Sequence, residues 1–114
     1  MERICASVPA DSAEPTSARD IANNLGMPVQ AVDAVVVFGV SSRSLTLIEG
    51  WIWTAGQLEY VAGVLKADHG RRSFTIGDIR RRFGLPRRAG DLLFDRLVAW
   101  ELVVESDDGW IVKP

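Results

Sequence analysis

Residues 78–86 read Asp-Ile-Arg-Arg-Arg-Phe-Gly-Leu-Pro, and residues 20–28 read Asp-Ile-Ala-Asn-Asn-Leu-Gly-Met-Pro. The two stretches share the pattern Asp-Ile-x-x-x-apolar-Gly-apolar-Pro at an offset of 58 residues. Further along, Gly50-Trp51-Ile52 returns as Gly109-Trp110-Ile111 at an offset of 59. Because patterns of this specificity recur at nearly one spacing, the 114-residue chain is predicted to contain two copies of one small fold.

The second copy predicts two helices with well-marked ends. The capping-box patterns Thr54-x-x-Gln57 and Thr75-x-x-Asp78 open these helices. Gly70 and Gly84 end them, because glycine adopts without strain the left-handed conformation that commonly follows a helix. Apolar residues recur between these ends at helical spacing, so each helix has one face suited to a core.

A third helix and a β-hairpin complete this copy. Pro86 suits the first turn of a helix that runs to about Trp100. The β-prone segments 102–105 and 110–113 flank Ser106-Asp107-Asp108-Gly109, which is typical of a hairpin turn. Helix, helix, tight turn, helix and hairpin is the winged-helix arrangement, and the helix after Pro86 takes the recognition-helix position.

The first copy follows the same plan with shorter parts. Ser17-x-x-Asp20 opens its second helix, Gly26 ends that helix and Pro28 opens the third. Its first helix is cut short, and residues 6–18 are rich in alanine, serine and proline, as loops are. We therefore predict an α+β, mainly α fold of two tandem winged-helix modules, an abbreviated one at 1–53 that serves as an arm or spacer and a second at 54–114. We also expect the chain to be part of a longer protein.

Composition narrows the class of protein. The chain is 47% hydrophobic and 25% charged, which fits a globular protein. Cys5 is the only cysteine, so neither an internal disulfide nor a cysteine metal site is expected. The longest apolar run, 34–38, is far too short for a membrane span, and no signal-peptide pattern is present, which favours the cytoplasm and no membrane partner. No catalytic constellation or phosphate-binding glycine loop occurs, so neither an enzyme nor a cofactor site is predicted.

Charge is distributed unevenly along the chain. The net charge is −2, but residues 71–88 hold seven arginines and a single acid, Asp78. Five of these arginines replace uncharged residues of the first copy. Ala22, Asn23 and Asn24 correspond to Arg80, Arg81 and Arg82, and Val29 and Gln30 correspond to Arg87 and Arg88. The pattern predicts that the second copy binds nucleic acid where a helix-turn-helix meets its ligand.

The arginines differ in their expected roles. Arg87 and Arg88 lie in the first turn of the third helix, where free backbone N–H groups and the helix dipole already favour an anion. Arg81 and Arg82 are expected to point outward, Arg80 to lie along the helix flank, and Arg72 to extend the patch. The alternative is a solvated surface on which the arginines pair with nearby carboxylates, such as Asp78, Asp91 and Asp95.

Two long stretches resemble a known family. The stretches are Leu47-Ile48-Glu49-Gly50-Trp51-Ile52-Trp53 and the run from Phe74 to Arg88. Together they are similar to the C-terminal region of the bacterial selenocysteine-specific elongation factor, a series of small winged-helix modules. The resemblance implies that the final module binds a messenger-RNA hairpin that marks a UGA codon for selenocysteine. It implies contacts by Arg87 and Arg88, with Arg81 and Arg82 beside them.

The resemblance also implies partners beyond the RNA. The first module would be an arm towards the ribosome or the GTP-binding domains of the same polypeptide. The acidic pair Asp107-Asp108 at the predicted wing tip departs from a phosphate-binding wing, which favours the start of the third helix as the contact. Two other interpretations remain open: a DNA-binding winged-helix regulator or reader module, and a tandem winged-helix scaffold that binds protein.

Overall fold

The computed structural model describes residues 2–114, which form six helices and two β-hairpins. In chain order the elements are α1 (Glu2–Ala6), α2 (Ala18–Leu25), α3 (Val29–Ser41), β1 (Leu45–Ile48), β2 (Trp51–Thr54), α4 (Ala55–His69), α5 (Ile76–Phe83), α6 (Arg87–Ala99), β3 (Val103–Ser106) and β4 (Gly109–Val112). The chain divides into two compact units, of which the first ends at Gln57 and the second begins at Leu58. The predicted combination of helices and small antiparallel hairpins is confirmed.

The repeat is visible in the backbone pairing. Strands β1 and β2 form one antiparallel hairpin, and β3 and β4 form the other. An isolated bridge joins Thr16 to Ile52 in the first unit, and another joins Phe74 to Trp110 in the second. Both members of the second bridge lie 58 residues beyond those of the first. The Gly-Trp-Ile match at offset 59 is therefore out of structural register by one residue, and Trp110 corresponds to Ile52 rather than to Trp51.

Helix ends in the first unit follow the sequence signals. The Ser17 hydroxyl accepts a hydrogen bond from the Asp20 backbone N–H at 3.2 Å, which satisfies one of the free donors at the start of α2. Gly26 ends α2 with φ 66°, in the left-handed region that favours glycine. Pro28 is the residue just before α3 and so lies one position earlier than predicted.

The core of the first unit is apolar and includes the short helix α1. Ile4 from α1 packs in one cluster with residues of α2, α3 and the hairpin, namely Ile21, Ala22, Val32, Val36, Leu45 and Ile52. The predicted loop between α1 and α2 is anchored by side chains. The Trp53 indole donates to the Ala13 carbonyl at 2.9 Å, and the Gln57 amide donates to the Ser12 and Glu14 carbonyls at 3.1 and 2.8 Å.

The first two helices of the second unit begin and end at the predicted residues, whereas Pro86, like Pro28, lies just before its helix and so one position earlier than predicted. Thr54 and Gln57 exchange two hydrogen bonds at the start of α4, the reciprocal pattern of a capping box. Gly70 follows α4 with φ 59°. The three helices and the hairpin bury a common set of apolar side chains. These are Leu58, Val61, Leu65, Phe74, Ile79, Leu92, Leu93, Leu97 and Val103.

No single described helix is long and apolar enough to cross a membrane. The pair α2 and α3 reaches the required length and composition only when taken together, across a bend of 119°.

Candidate nucleic-acid interface

The turn between α5 and α6 positions the arginine-rich stretch. The Thr75 hydroxyl accepts from the Asp78 backbone N–H at 3.2 Å, and the Asp78 carboxylate accepts from the Thr75 backbone N–H at 2.9 Å. Gly84 ends α5 with φ 64°, and its N–H bonds to the Arg80 carbonyl. Pro86 precedes α6, so Arg87 and Arg88 are the first two residues of that helix, as predicted.

Three of the predicted site arginines surround one cavity. This cavity has a volume of about 240 Å³ and lies where α5, the turn and the start of α6 meet. Its lining residues are Gly77, Arg80, Arg81, Gly84, Leu85 and Arg87. None of these lining residues is acidic, so the cavity favours an anion.

Arg81 points outward and is paired with a carboxylate on its own helix. Its side chain is 74% exposed and donates to Asp78. The backbone N–H of Thr75 holds the pKa of Asp78 below its usual value of 3.8, and the Arg81 guanidinium adds to this effect while partial burial opposes it. The alternative in which arginines pair with nearby acids therefore holds for Arg81 and Asp78.

Arg82 also points outward, but its partner is not one that the sequence suggested. Its Nε donates to Asp68 Oδ2 at 2.7 Å, and its guanidinium lies 5.6 Å from the centre of the Phe83 ring. Asp68 belongs to the last turn of α4, 14 residues earlier in the chain. No short-range sequence pattern connects these two residues, so only the packing of α5 beside the end of α4 reveals the pair.

Arg80 lies along the helix flank, as expected, and its side chain runs over Gly90 of α6. Its exchange with Ala22 is not a substitution on the outer surface, because Ala22 is 2% exposed in the core of the first unit. Arg80 therefore occupies a helix–helix packing position and reaches the cavity from inside.

Arg72 lies in a different environment from the cavity arginines. Its guanidinium donates to the Asp68 and His69 carbonyls at 3.2 and 3.3 Å, which caps the end of α4. Arg72 also lines a second cavity of about 370 Å³. The other residues that line this second cavity are Arg71, Ser73, Ser106, Asp107 and Asp108. The acidic hairpin tip thus faces these two arginines and lowers the local positive charge.

Arg88 is exposed and lines neither cavity. It already has an interaction partner within the chain. The structure therefore separates the six predicted site residues. Arg80, Arg81 and Arg87 meet at one cavity, whereas Arg72, Arg82 and Arg88 each lie in another environment.

The equivalent helix of the first unit carries no arginine. Helix α3 instead exposes the apolar side chains of Val37 and Phe38, which are 66% and 63% accessible. In the second unit, the centre of the His69 ring lies 5.6 Å from that of Phe74. Among the described residues, no group of three or more histidine, cysteine or acidic side chains could hold a metal ion.

Comparison of the fold with solved structures identifies two similar proteins. The mRNA-binding domain of elongation factor SelB from E. coli, in complex with SECIS RNA, superimposes with a TM-score of 0.68, over 99% of this chain and 96% of that chain. The chain shares the fold of that domain. Sequence identity between the two is 16%. No family model matches the sequence, and no curated protein sequence matches it significantly.

A second solved structure extends the comparison. The bacterial selenocysteine-specific elongation factor EF-Sec gives a TM-score of 0.66 at 19% identity. The match covers 89% of this chain but only 16% of that factor. The resemblance inferred from the sequence is confirmed in these two structures at the level of fold.

Proposed function

We propose that this chain is the RNA-binding part of a selenocysteine-specific elongation factor and binds an mRNA hairpin through its second unit. The contact surface in this proposal is the arginine surface, defined as Arg71, Arg72, Arg80, Arg81, Arg82, Arg87 and Arg88. Each unit would be one winged-helix module. In the cytoplasm, the bound hairpin would direct recoding of a UGA codon during translation.

One observation carries the proposal: in a fold shared with an mRNA-binding domain, one copy has arginines at the five positions 80–82 and 87–88, where the other copy has uncharged residues. The two copies keep matching apolar positions, such as Ile21 and Ile79 or Val35 and Leu93. They differ where α5 and the start of α6 meet solvent. Arginine at the start of α6 opposes the helix dipole slightly, which a function that needs positive charge explains.

The geometry suits recognition of RNA by its backbone. Guanidinium groups donate in a planar fork that matches two phosphate oxygens, and Arg81 and Arg87 present such groups beside one cavity. A small surface of this kind fits the loop of a hairpin, where the backbone turns sharply and bases are splayed out. The acidic tip at Asp107 and Asp108 disfavours phosphate, so the β-hairpin formed by β3 and β4 is not the main contact with RNA.

The first unit has a different role in the proposal. Its helix α3 offers no cation to a phosphate, and its exposed side chains include Val37 and Phe38. We therefore assign it the role of an arm or spacer towards the GTP-binding domains of the same polypeptide or the ribosome. These domains and the ribosome are the further partners that the proposal requires.

The test is a binding assay against several ligands. The chain is titrated with a panel of RNA hairpins, with duplex DNA of random sequence and with single-stranded RNA. We expect one class of hairpin to bind far more tightly than the other ligands. With about five phosphates contacted, affinity for that hairpin should fall roughly a few hundred-fold between 50 and 200 mM salt.

Other outcomes would favour the remaining interpretations. Tighter binding to duplex DNA than to every hairpin would favour a DNA reader and contradict the proposal. Equal, weak binding to all the ligands would leave the protein-binding scaffold as the better account.

A further inference from the structure

The contact between the second and third helices is filled by different kinds of residue in the two copies. In the first unit, Ala22 of α2 and Val32 of α3 are 2% and 0% exposed and share one apolar cluster. In the second unit the equivalent positions hold Arg80 and Gly90. A Cβ atom on Gly90 would lie 2.3 Å from Arg80 Cγ and 3.0 Å from Arg80 Cδ. Gly90 therefore makes room for the stem of Arg80, and the two substitutions belong together.

The exchange brings a guanidinium into the space between the helices. The stem of Arg80 passes over Gly90, and Arg80 Nη2 lies on the side of Gly77, 3.8 Å from where a Cβ of that glycine would be. The Nε atom of Arg80 is enclosed, and no hydrogen-bond acceptor for it exists among the described residues. A buried donor without an acceptor is costly, so this arrangement is poor as packing alone.

The cavity at the end of this side chain is built for a negative charge. Arg81 and Arg87 line it together with Arg80, and its remaining lining residues are two glycines and Leu85. Asp78 neutralises part of the charge of Arg81, but among the described residues no carboxylate pairs with Arg80 or Arg87. At about 240 Å³ the cavity exceeds by several-fold the roughly 30 Å³ that a water molecule occupies.

We propose that this open cavity is a binding site for a phosphate group, and that Arg80 is its innermost donor. The source of the phosphate rests on the proposed function, because the phosphate would belong to the backbone of the bound RNA. A phosphate in the cavity would accept from Nη2 of Arg80, which lies near the lining residue Gly77, beside the enclosed Nε. The first unit has no such site, since Ala22 and Val32 fill the equivalent space with apolar atoms.

Two variants test the guanidinium of Arg80 separately from the role of its side chain in packing α5 against α6. Arg80→Met keeps a long unbranched stem over Gly90 and removes the charge. The double variant Arg80→Ala/Gly90→Val installs the pair found in the first unit, so it keeps the helices packed without any guanidinium. Each variant is first checked for folding by thermal unfolding. The double variant keeps the test valid if Arg80→Met fails to fold.

The experiment has a small-anion arm and an RNA arm. In the first, the Nε–H signal of Arg80 is followed by NMR in ¹⁵N-arginine-labelled protein while inorganic phosphate is added. In the second, the salt dependence of binding to the preferred hairpin is measured for the chain and both variants. We expect the Arg80 signal to shift with phosphate. We also expect the salt slope, which is the slope of log affinity against log salt concentration, to decrease in magnitude by about 0.7 to 0.9 in both variants.

The arms distinguish failure of the site from failure of the proposed function. A silent Arg80 signal together with unchanged salt slopes would overturn the site while hairpin binding could still stand. A phosphate response without any hairpin binding would support the site and overturn the proposed function. A phosphate response with hairpin binding that ignores Arg80 would support a site for free phosphate and overturn the RNA backbone as its source.

Discussion

Arg82 of α5 and Asp68 of α4 form an ion pair in which Arg82 Nε lies 2.7 Å from Asp68 Oδ2. Both side chains remain substantially exposed, at 49% and 35%. An exposed pair of this kind contributes about 0–1 kcal/mol to stability. Its larger effect is on the arginine surface, because the carboxylate offsets the charge of one arginine that the proposed function assigns to RNA.

Replacement of this carboxylate should strengthen RNA binding. In Asp68→Asn the size of the side chain is kept and its charge is lost, so Arg82 becomes available to phosphate. We expect hairpin affinity to rise about two- to fivefold at low salt, in line with the energy of an exposed ion pair. The matched control is Asp95→Asn, since Asp95 pairs with Arg96, which is not part of the arginine surface. Equal effects of the two substitutions would indicate general charge repulsion and contradict a role for Arg82.

Arg87 is expected to contribute directly to RNA binding. Arg87→Ala should reduce the salt slope of hairpin binding by about 0.7 to 0.9. Stability should stay the same or rise slightly, since a cation at the start of α6 opposes the helix dipole. The control is Arg19→Ala, which removes an exposed arginine from the first unit. An unchanged slope in Arg87→Ala, or a similar loss in Arg19→Ala, would argue against the assigned contact.

The carboxylate of Asp78 should make the second unit sensitive to acid. The pKa of Asp78 is lowered in the folded protein, chiefly by the hydrogen bond from the Thr75 backbone N–H. A lowered folded-state pKa adds stability above the unfolded pKa of about 3.9, and this stability is lost as the pH falls through the folded value. The contribution should therefore be present at pH 7 and should decrease as the pH falls below about 3.9 towards the lowered folded-state pKa.

The variant Asp78→Asn tests this dependence. Its amide oxygen can still accept from Thr75, but its bond to Arg81 loses the charge. We expect the free energy of unfolding, measured with urea, to fall by about 1 kcal/mol at pH 7. The difference from the unsubstituted chain should shrink as the pH is lowered below about 3.9. A difference that stays constant with pH would mean that the ionised carboxylate is not what stabilises the start of α5.

The close approach of Arg80 to Gly90 predicts an unusual cost for a small substitution. In Gly90→Ala the new Cβ would lie 2.3 Å from Arg80 Cγ, near the root of that side chain, so the helices or the arginine must move. We expect a loss of about 1–3 kcal/mol in thermal or urea unfolding. Gly63→Ala is the control, because no atom lies within 4 Å of its new Cβ. That helical alanine should stabilise α4 by about 0.5–1 kcal/mol, and destabilisation of equal size in both variants would refute the packing argument.

Local features of the fold could be predicted from the sequence because they depend on neighbours in the chain. The capping box of Thr75 and Asp78 and the helix end at Gly84 are set within one or two helical turns. The repeated Gly-Trp-Ile motif suggests an alignment of the two β-hairpins that is wrong by one residue. In both hairpins two residues separate the strands, so Trp110 aligns with Ile52. Neighbouring residues of a strand point to opposite faces, so this shift of one residue changes the expected surroundings of Trp110. The centre of its ring system lies 4.9 Å from that of Phe94.

The candidate site was less predictable because its geometry depends on packing between helices. The sequence indicated which arginines differ between the copies, and α6 begins with Arg87 and Arg88 as expected. It gave no signal for Asp68 as the partner of Arg82, since the two residues meet only after α4 and α5 pack. In the alignment of the two copies, Ala22 and Val32 are replaced by Arg80 and Gly90. The sequence does not show that the two replacements are linked, because this follows only from the burial of Ala22 and Val32 in one cluster.

RNA binding by the arginine surface is tested most directly by amide chemical-shift mapping of the chain during titration with its preferred RNA hairpin. We predict that the largest changes fall on residues 77–90, with smaller ones near Arg71 and Arg72 and none on α3. Changes concentrated on α3 or on the hairpin tip at Asp107 and Asp108, with residues 77–90 unaffected, would contradict it.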